Sequence, residues 1–317
     1  MDLVDQLRQI TLMQRFDYIV IEASGICEPA PIAQTICSIP SMGPEFCKGG
    51  VPVLDCICTV VDALRMRDEF KNGSSLTRKG LDEDDIENLL IQQIEFCNIV
   101  LLNKKSEVSE ADLELIKQII KALQPSARII ECDWCDIDLD SIVGTGMFDF
   151  DQVAGSAGWI KGVEGPVEDE DDEDDEDDDH EHHHEHHHHD EGEAEEYGIS
   201  SFVYCRRQPF DINKFDNFVA KHWPKEVIRA KGMCYFTDEY DVCYVFEQAG
   251  KQISMRNAGR WFATMPEDEL QQMMVTEPTL QRDWDPVYGD RMQKLVFIGR
   301  NMDKKAICDA LDECLLY

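Results

Sequence analysis

The sequence has no run of about 18 apolar residues, the length a membrane-spanning helix needs. Its opening, MDLVDQLRQI, lacks the basic start and apolar stretch of a secretory leader. Positive charge is scarce, with 30 Lys and Arg against 65 Asp and Glu and a net charge of −35. Such a surface repels phosphate backbones and anionic lipid, so neither nucleic acid nor membrane is an expected partner. Divalent cations and basic protein surfaces fit better. A paired-cysteine framework is also missing. The 13 cysteines are odd in number and scattered through apolar runs. That is the usage of a reducing compartment, so the expected location is cytoplasmic. There is no internal repeat, and histidine is nearly absent outside one tract.

What is there suffices for two ordinary domains: 317 residues, 43% of them hydrophobic. Residues 1–15 read as an amphipathic helix with Leu3, Leu7, Ile10 and Leu12 near one face. DYIVIEASG (17–25), VLDCICTVVD (53–62), NIVLLNK (98–104) and ARIIEC (127–132) are apolar runs of the kind buried on both faces in a parallel sheet. Helical stretches at 81–96 and 109–123 lie between them, and 147–160 reads as a closing helix. Strands alternating with helices predict a doubly wound α/β sheet, in this chain a partial one over residues 1–161. Residues 162–197 form an acidic, His-rich linker that cannot bury a core and is expected to be disordered. Nineteen acidic residues and no Lys or Arg fall within 168–196. Residues 198–317 read as a smaller α+β domain with a mostly antiparallel sheet. Its strands are expected at GISSFVYCRR, VIRAKGMCYF, DVCYVFEQAG, KQISMRNAGRWF and RMQKLVFIG, with helices at 211–222 and 303–315.

Ligands of open α/β sheets sit at the carboxyl ends of the strands. The residues expected there are Glu22, Asp62, Asn103 and Cys132. In Glu22-Ala23-Ser24-Gly25, a carboxylate can hold a Mg²⁺-bound or attacking water, and the Gly lets backbone approach a phosphate. A plain strand-to-loop turn is the competing reading. Asn103-Lys104 follows a strand as in the guanine-reading pattern Asn-Lys-x-Asp, but the fourth position is Ser106, which cannot make the charged bidentate contact. A surface turn is the alternative there.

Eight of the nine histidines occupy one tract: His180, His182, His183, His184, His186, His187, His188 and His189. Neutral imidazole is a common ligand for Zn²⁺, Co²⁺ and Ni²⁺, so the tract is expected to bind metal. An incidental, solvated linker is the alternative. Cys132-x-x-Cys135 has zinc-knuckle spacing but no second pair, and Cys56-x-Cys58 lies within an expected strand. Cys27 is a further outside candidate. Trp223, Trp261 and Trp284 read as core aromatics of the second domain.

Several segments resemble the CobW-like P-loop GTPases and metallochaperones, in order and spacing. FDYIVIEASGICEPAPI resembles their strand and switch region, and CTVVDA their next strand. QQIEFCNIVLLNK resembles the helix leading to the guanine loop, and LQPSARIIE the strand after it. GISSFVYCRRQPFD, VIRAKG and the stretch from Tyr288-Gly289-Asp290-Arg291 to LVFIG resemble the family's C-terminal domain. The family opens with a GxxGxGK[ST] phosphate loop and a Cys-x-Cys-Cys metal motif, and neither occurs in the 317 residues. The expected architecture is therefore P-loop GTPase-like and incomplete at its N-terminus.

The resemblance implies coupling of GTP, with Mg²⁺, to delivery of Zn²⁺ or Co²⁺ to a metalloprotein client. Glu22 would be the catalytic carboxylate. Ser24, Gly25, Asp62, Asn103 and Lys104 would be the nucleotide-binding residues. A non-hydrolysing metal buffer or adaptor is the competing expectation. A homo-oligomer, or a separate chain supplying the phosphate loop, is the expected assembly.

Overall fold

The computed structural model describes residues 3–25, 27–72, 83–164, 197–250 and 252–316. The chain divides into two units, Met1–Gly158 and Trp159–Tyr317.

The first unit is built on a parallel sheet of β1 (Cys58–Asp62), β2 (Ile99–Asn103) and β3 (Arg128–Glu131), in that spatial order. The parallel α/β sheet read from the sequence is therefore present. β2 is central and buried from Ile99 to Leu102, which accounts for an apolar run without alternation. Helices α3 (Ala63–Asn72) and α4 (Glu83–Glu95) connect β1 to β2, and α5 (Glu110–Leu123) connects β2 to β3. α5 starts where Ser109 Oγ accepts the Asp112 N–H at 3.2 Å and donates to the Asp112 carboxylate at 2.7 Å, and it buries Leu115, Ile116, Ile119, Ile120 and Leu123.

α1 (Leu3–Met13) packs Val4 and Leu7 against Ile36 and Ile39 of α2 (Pro29–Met42), with Ile19 and Leu54 beside them. Of the expected apolar face of α1, Leu12 is exposed. α2 is a helix that the sequence reading left as loop. Its prolines at 29 and 31 sit in the first turn, where a missing N–H costs nothing.

Residues 17–25 are a correction: they form no strand. Among the described residues the run joins no ladder, and Val20 stays 81% exposed. A strand needs a backbone partner as well as an apolar sequence, and these residues are tethered by side chains instead. Tyr18 donates to Asp55 at 2.7 Å, and the Gln93 amide donates to the carbonyls of Gly25 and Cys27 at 3.2 Å each. The VLDCICTVVD run is shorter than expected as a strand, which begins only at Cys58. The expected helix at 147–160 is two short ones, α6 (Phe150–Gly155) and α7 (Gly158–Glu164).

In the second unit five strands form an antiparallel sheet. β4 (Ile199–Arg206), β5 (Val227–Cys234), β6 (Val242–Ala249), β7 (Gln252–Arg260) and β8 (Gln293–Arg300) lie in the order β4-β8-β5-β6-β7. α8 (Ile212–Lys221) and α11 (Lys304–Asp312) contribute to an aromatic core of Tyr204, Phe210, Phe215, Phe246 and Phe297. Two helices, α9 (Glu267–Thr276) and α10 (Pro278–Arg282), lie where no element was expected. Trp223 packs against this core and Trp261 is buried in a second cluster with Tyr235 and Met292, whereas Trp284 is only half-buried.

Gly232 lies in β5 between β6 and β8, so close to β8 that an added Cβ would meet the Lys294 carbonyl oxygen at 2.0 Å. That oxygen is backbone and cannot swing away. Gly232→Ala should therefore destabilise the second unit by about 1–3 kcal/mol, read as a lower denaturant midpoint. An unchanged midpoint would contradict this packing.

Candidate functional site

The parallel register sets the site. Asp62 and Asn103 are the last matched pair of β1 and β2, so two polar side chains emerge together where the strands end. Asp62 accepts the N–H of Arg65 at 3.1 Å, in the first turn of α3, and takes the Lys104 ammonium at 2.6 Å on its other oxygen. Burial works against a charged Asp62. The Lys104 hydrogen bond and charge, with the Arg65 N–H, outweigh it and hold the carboxyl below its ordinary 3.8. The same bond raises Lys104 above its ordinary 10.5.

Lys104 occupies the left-handed region, φ 62° and ψ 36°, which turns the chain sharply out of β2 into a short 3₁₀ turn, Lys105–Glu107. A second loop, following β3, meets it. Trp134 and Cys135 are also left-handed, at φ 58° and 53°. Cys135 donates its N–H to Asn103 Oδ1 at 3.1 Å. Asp133 Oδ1 accepts both the N–H and the hydroxyl of Ser106, at 3.1 and 3.0 Å. Asp133 was not among the residues singled out from sequence. Its signal was its place directly after a parallel strand.

The structure brings Asp62, Asn103 and Lys104 together. Glu22, Ser24 and Gly25 lie in the exposed segment that the Tyr18–Asp55 bond and the Gln93 amide tether, the latter through the carbonyls of Gly25 and Cys27. Glu22 at a strand end is thus corrected along with its strand. The eight tract histidines lie outside the described residues.

Burial, then the neighbouring Cys56, Cys135 and Cys132, push the Cys58 thiol up to about 12, and burial raises Cys56 and Cys132 too. Among the described residues no three His, Cys, Asp or Glu side chains are placed to hold a metal ion. Asn103 offers an amide edge to a base. Each oxygen of Asp62 already accepts one hydrogen bond, which leaves a lone pair on each for Mg²⁺. The described residues therefore fit the base end of a nucleotide, and they show no cradle for its phosphates. No helix among them is long and apolar enough to cross a membrane.

The Asp62–Lys104 pair has a definite pH signature. A depressed carboxyl contributes stability that is present above its ordinary 3.8 and is lost as pH falls through its lower folded-state value. Lys104→Met should move the Asp62 titration upward, toward or past 3.8, followed by NMR of the side-chain carboxyl carbon. An unmoved titration would mean that the backbone N–H groups of Leu64 and Arg65 set it.

Comparison with known proteins agrees with this layout. Residues 1–131 match the family described as CobW/HypB/UreG, nucleotide-binding domain, and residues 199–315 match the cobalamin synthesis protein cobW C-terminal domain. A Dictyostelium discoideum protein named zinc-regulated GTPase metalloprotein activator 1 is 32% identical over 99% of this chain and 63% of its own length. A Schizosaccharomyces pombe protein of the same name is 34% identical over 39% of this chain and 26% of its own. The chain thus spans less than two thirds of either relative. The Zn(II)-bound YjiA GTPase from E. coli, a solved structure, is 20% identical, with 99% of this chain and 76% of that one covered and a TM-score of 0.35. With both domain types matched in order along one polypeptide, the chain belongs to the CobW family.

Proposed function

We propose that this chain works as a GTP-dependent metallochaperone, passing Zn²⁺ or Co²⁺ to a metalloprotein client in the cytoplasm. The observation that carries the reading is the Asp62–Asn103 register pair with Lys104 across it, at the carboxyl ends of a parallel sheet in a CobW-type nucleotide-binding domain. The relative named for zinc-regulated metalloprotein activation supports the metal and the client. In this reading Asn103 and Lys104 hold the base. Asp62 supports Mg²⁺. Ser24 and Gly25 approach the terminal phosphate, and Glu22 orients water. The tract from His180 to His189 collects Zn²⁺, Co²⁺ or Ni²⁺. In this reading the chain assembles as a homo-oligomer, or with a separate chain that brings a phosphate loop and completes the phosphate side.

A second reading is a metal buffer or adaptor without hydrolysis. It is favoured by Ser106 in the guanine pattern. The 317 residues contain no GxxGxGK[ST]. A phosphate loop supplies the backbone N–H cradle and the Lys for the β- and γ-phosphates. This chain alone should therefore bind GTP with Mg²⁺ only weakly and show no turnover. Calorimetry and phosphate release test this. Micromolar affinity, or phosphate release abolished by Glu22→Gln, would overturn it.

Metal binding is separable. Eight imidazoles within ten positions give many ways to assemble two to four ligands, and the flanking carboxylates concentrate cations. Ordering a tract around an ion costs entropy, so each site should be looser than a folded Cys site. Only neutral imidazole ligates, so binding should fall as pH drops through about 6.5. More than one Zn²⁺, Co²⁺ or Ni²⁺ should bind per chain. Deleting residues 180–189 should remove most of that binding and leave the melting of both units unchanged. Full stoichiometry in the deletion variant would place the metal elsewhere, with Cys27 and the Cys132/Cys135 pair next to test.

A further inference from the structure

The guanine pattern fails at Ser106, yet a carboxylate is present there in space. Asp133, the second residue after β3, lies against Ser106 and takes both its N–H and its hydroxyl on one oxygen, Oδ1. Two residues further along, the Cys135 N–H fixes the oxygen of Asn103. One turn, bent by the left-handed Trp134 and Cys135, therefore clamps both ends of the Asn103–Ser106 loop. With Oδ1 of Asn103 committed to the turn, its Nδ2 protons are the group left for a ligand. With Oδ1 of Asp133 committed to Ser106, its Oδ2 remains as an acceptor. An amide donor and a carboxylate acceptor then flank the same loop. Trp134 beside them is 93% exposed, a flat apolar face of the kind on which bases stack.

We propose that Asp133 is the base-reading carboxylate of this chain, supplied from the loop after β3 in place of position 106, and that it selects guanine over adenine. This rests on the reading of Asn103 and Lys104 as a nucleotide site. The chemistry follows from the base edges. Guanine presents two adjacent donors, N1–H and the exocyclic amine, to a carboxylate acceptor. Adenine presents an unprotonated N1 at that position, which a carboxylate repels. Bonds to a charged acceptor are roughly twice as strong as neutral ones, and a site built around them rejects analogues lacking the donor.

The test is ligand-observed NMR titration of the full chain with GDP, ADP and xanthosine diphosphate, to millimolar concentration. Asp133→Asn is nearly isosteric and keeps an oxygen for Ser106. With that oxygen held by Ser106, the group it turns to the base is an NH2 donor, which can meet the xanthine C2 carbonyl but opposes the guanine N1–H and amine with a second donor. The expected result is GDP preferred by the unchanged chain. In the variant GDP should weaken by about ten- to a hundredfold, the scale of one or two charge-assisted bonds, and xanthosine diphosphate should gain. Equal weakening of all three nucleotides, or GDP binding unaltered by the substitution, would overturn the assignment and leave the nucleotide site standing. No binding of any nucleotide to the unchanged chain would overturn both.

Discussion

The parallel pairing of β1 with β2, ending in register at Asp62 and Asn103, is the constraint on which the rest of the first unit depends. A parallel ladder advances both strands together, so their carboxyl ends fall on one edge of the sheet. Everything polar that matters is gathered at that edge. Asp62 receives the first turn of α3 and the Lys104 ammonium, while Asn103 receives the turn that follows β3. The ladder is secured by burial of Ile99 to Leu102 in the central strand and of the α5 face beside it. The polar edge is therefore carried by a rigid apolar element, as a recognition site requires.

The sequence made β2, β3 and α5 legible because each signal was complete. IVLLN is apolar without interruption, and α5 combines a 3.6-residue apolar period with a Ser–Asp cap. The strands of the second unit and its helices α8 and α11 were legible through their own apolar periods, whereas α9 and α10 were not. IVIEASG was misread because periodicity reports what a segment buries, not whether another strand is there to pair with it. α2 was not expected: it carries Pro40 in its interior, where proline disfavours helix, although Pro29 and Pro31 in its first turn favour it. The candidate site was half legible. Asp62, Asn103 and Lys104 were visible as strand-end residues. Asp133 was not, because its partner Ser106 is 27 positions away and nothing local marks the pair.

Thirteen cysteines invite a metal reading, and the structure accounts for several of them as apolar packing. Cys97, Cys234, Cys243, Cys308 and Cys314 are buried, and burial raises the thiols of Cys97, Cys234, Cys243 and Cys314. A buried thiol behaves as a small hydrophobe because losing its proton would strand a charge in a poorly solvated place. In the proposed function, metal capture rests on the composition of the tract and nucleotide recognition on the register of the sheet, so the two draw on separate parts of the chain.

The left-handed residues give the last step. Lys104, Trp134 and Cys135 are not glycine, yet each has φ between 53° and 62°. For ordinary L-residues that region costs roughly 1–2 kcal/mol apiece. Glycine would relieve the cost at all three, and none is glycine. The strain is held by three contacts between the two loops: Cys135 to Asn103, Ser106 to Asp133, and the Lys105 N–H to the Cys132 carbonyl at 3.3 Å. Strain concentrated where two loops converge at a sheet edge is what preorganisation of a site looks like. Because the opposing contacts bear on the same turn, releasing one loop releases the other. Asn103 and Asp133 are therefore placed as a pair by the fold before any ligand arrives.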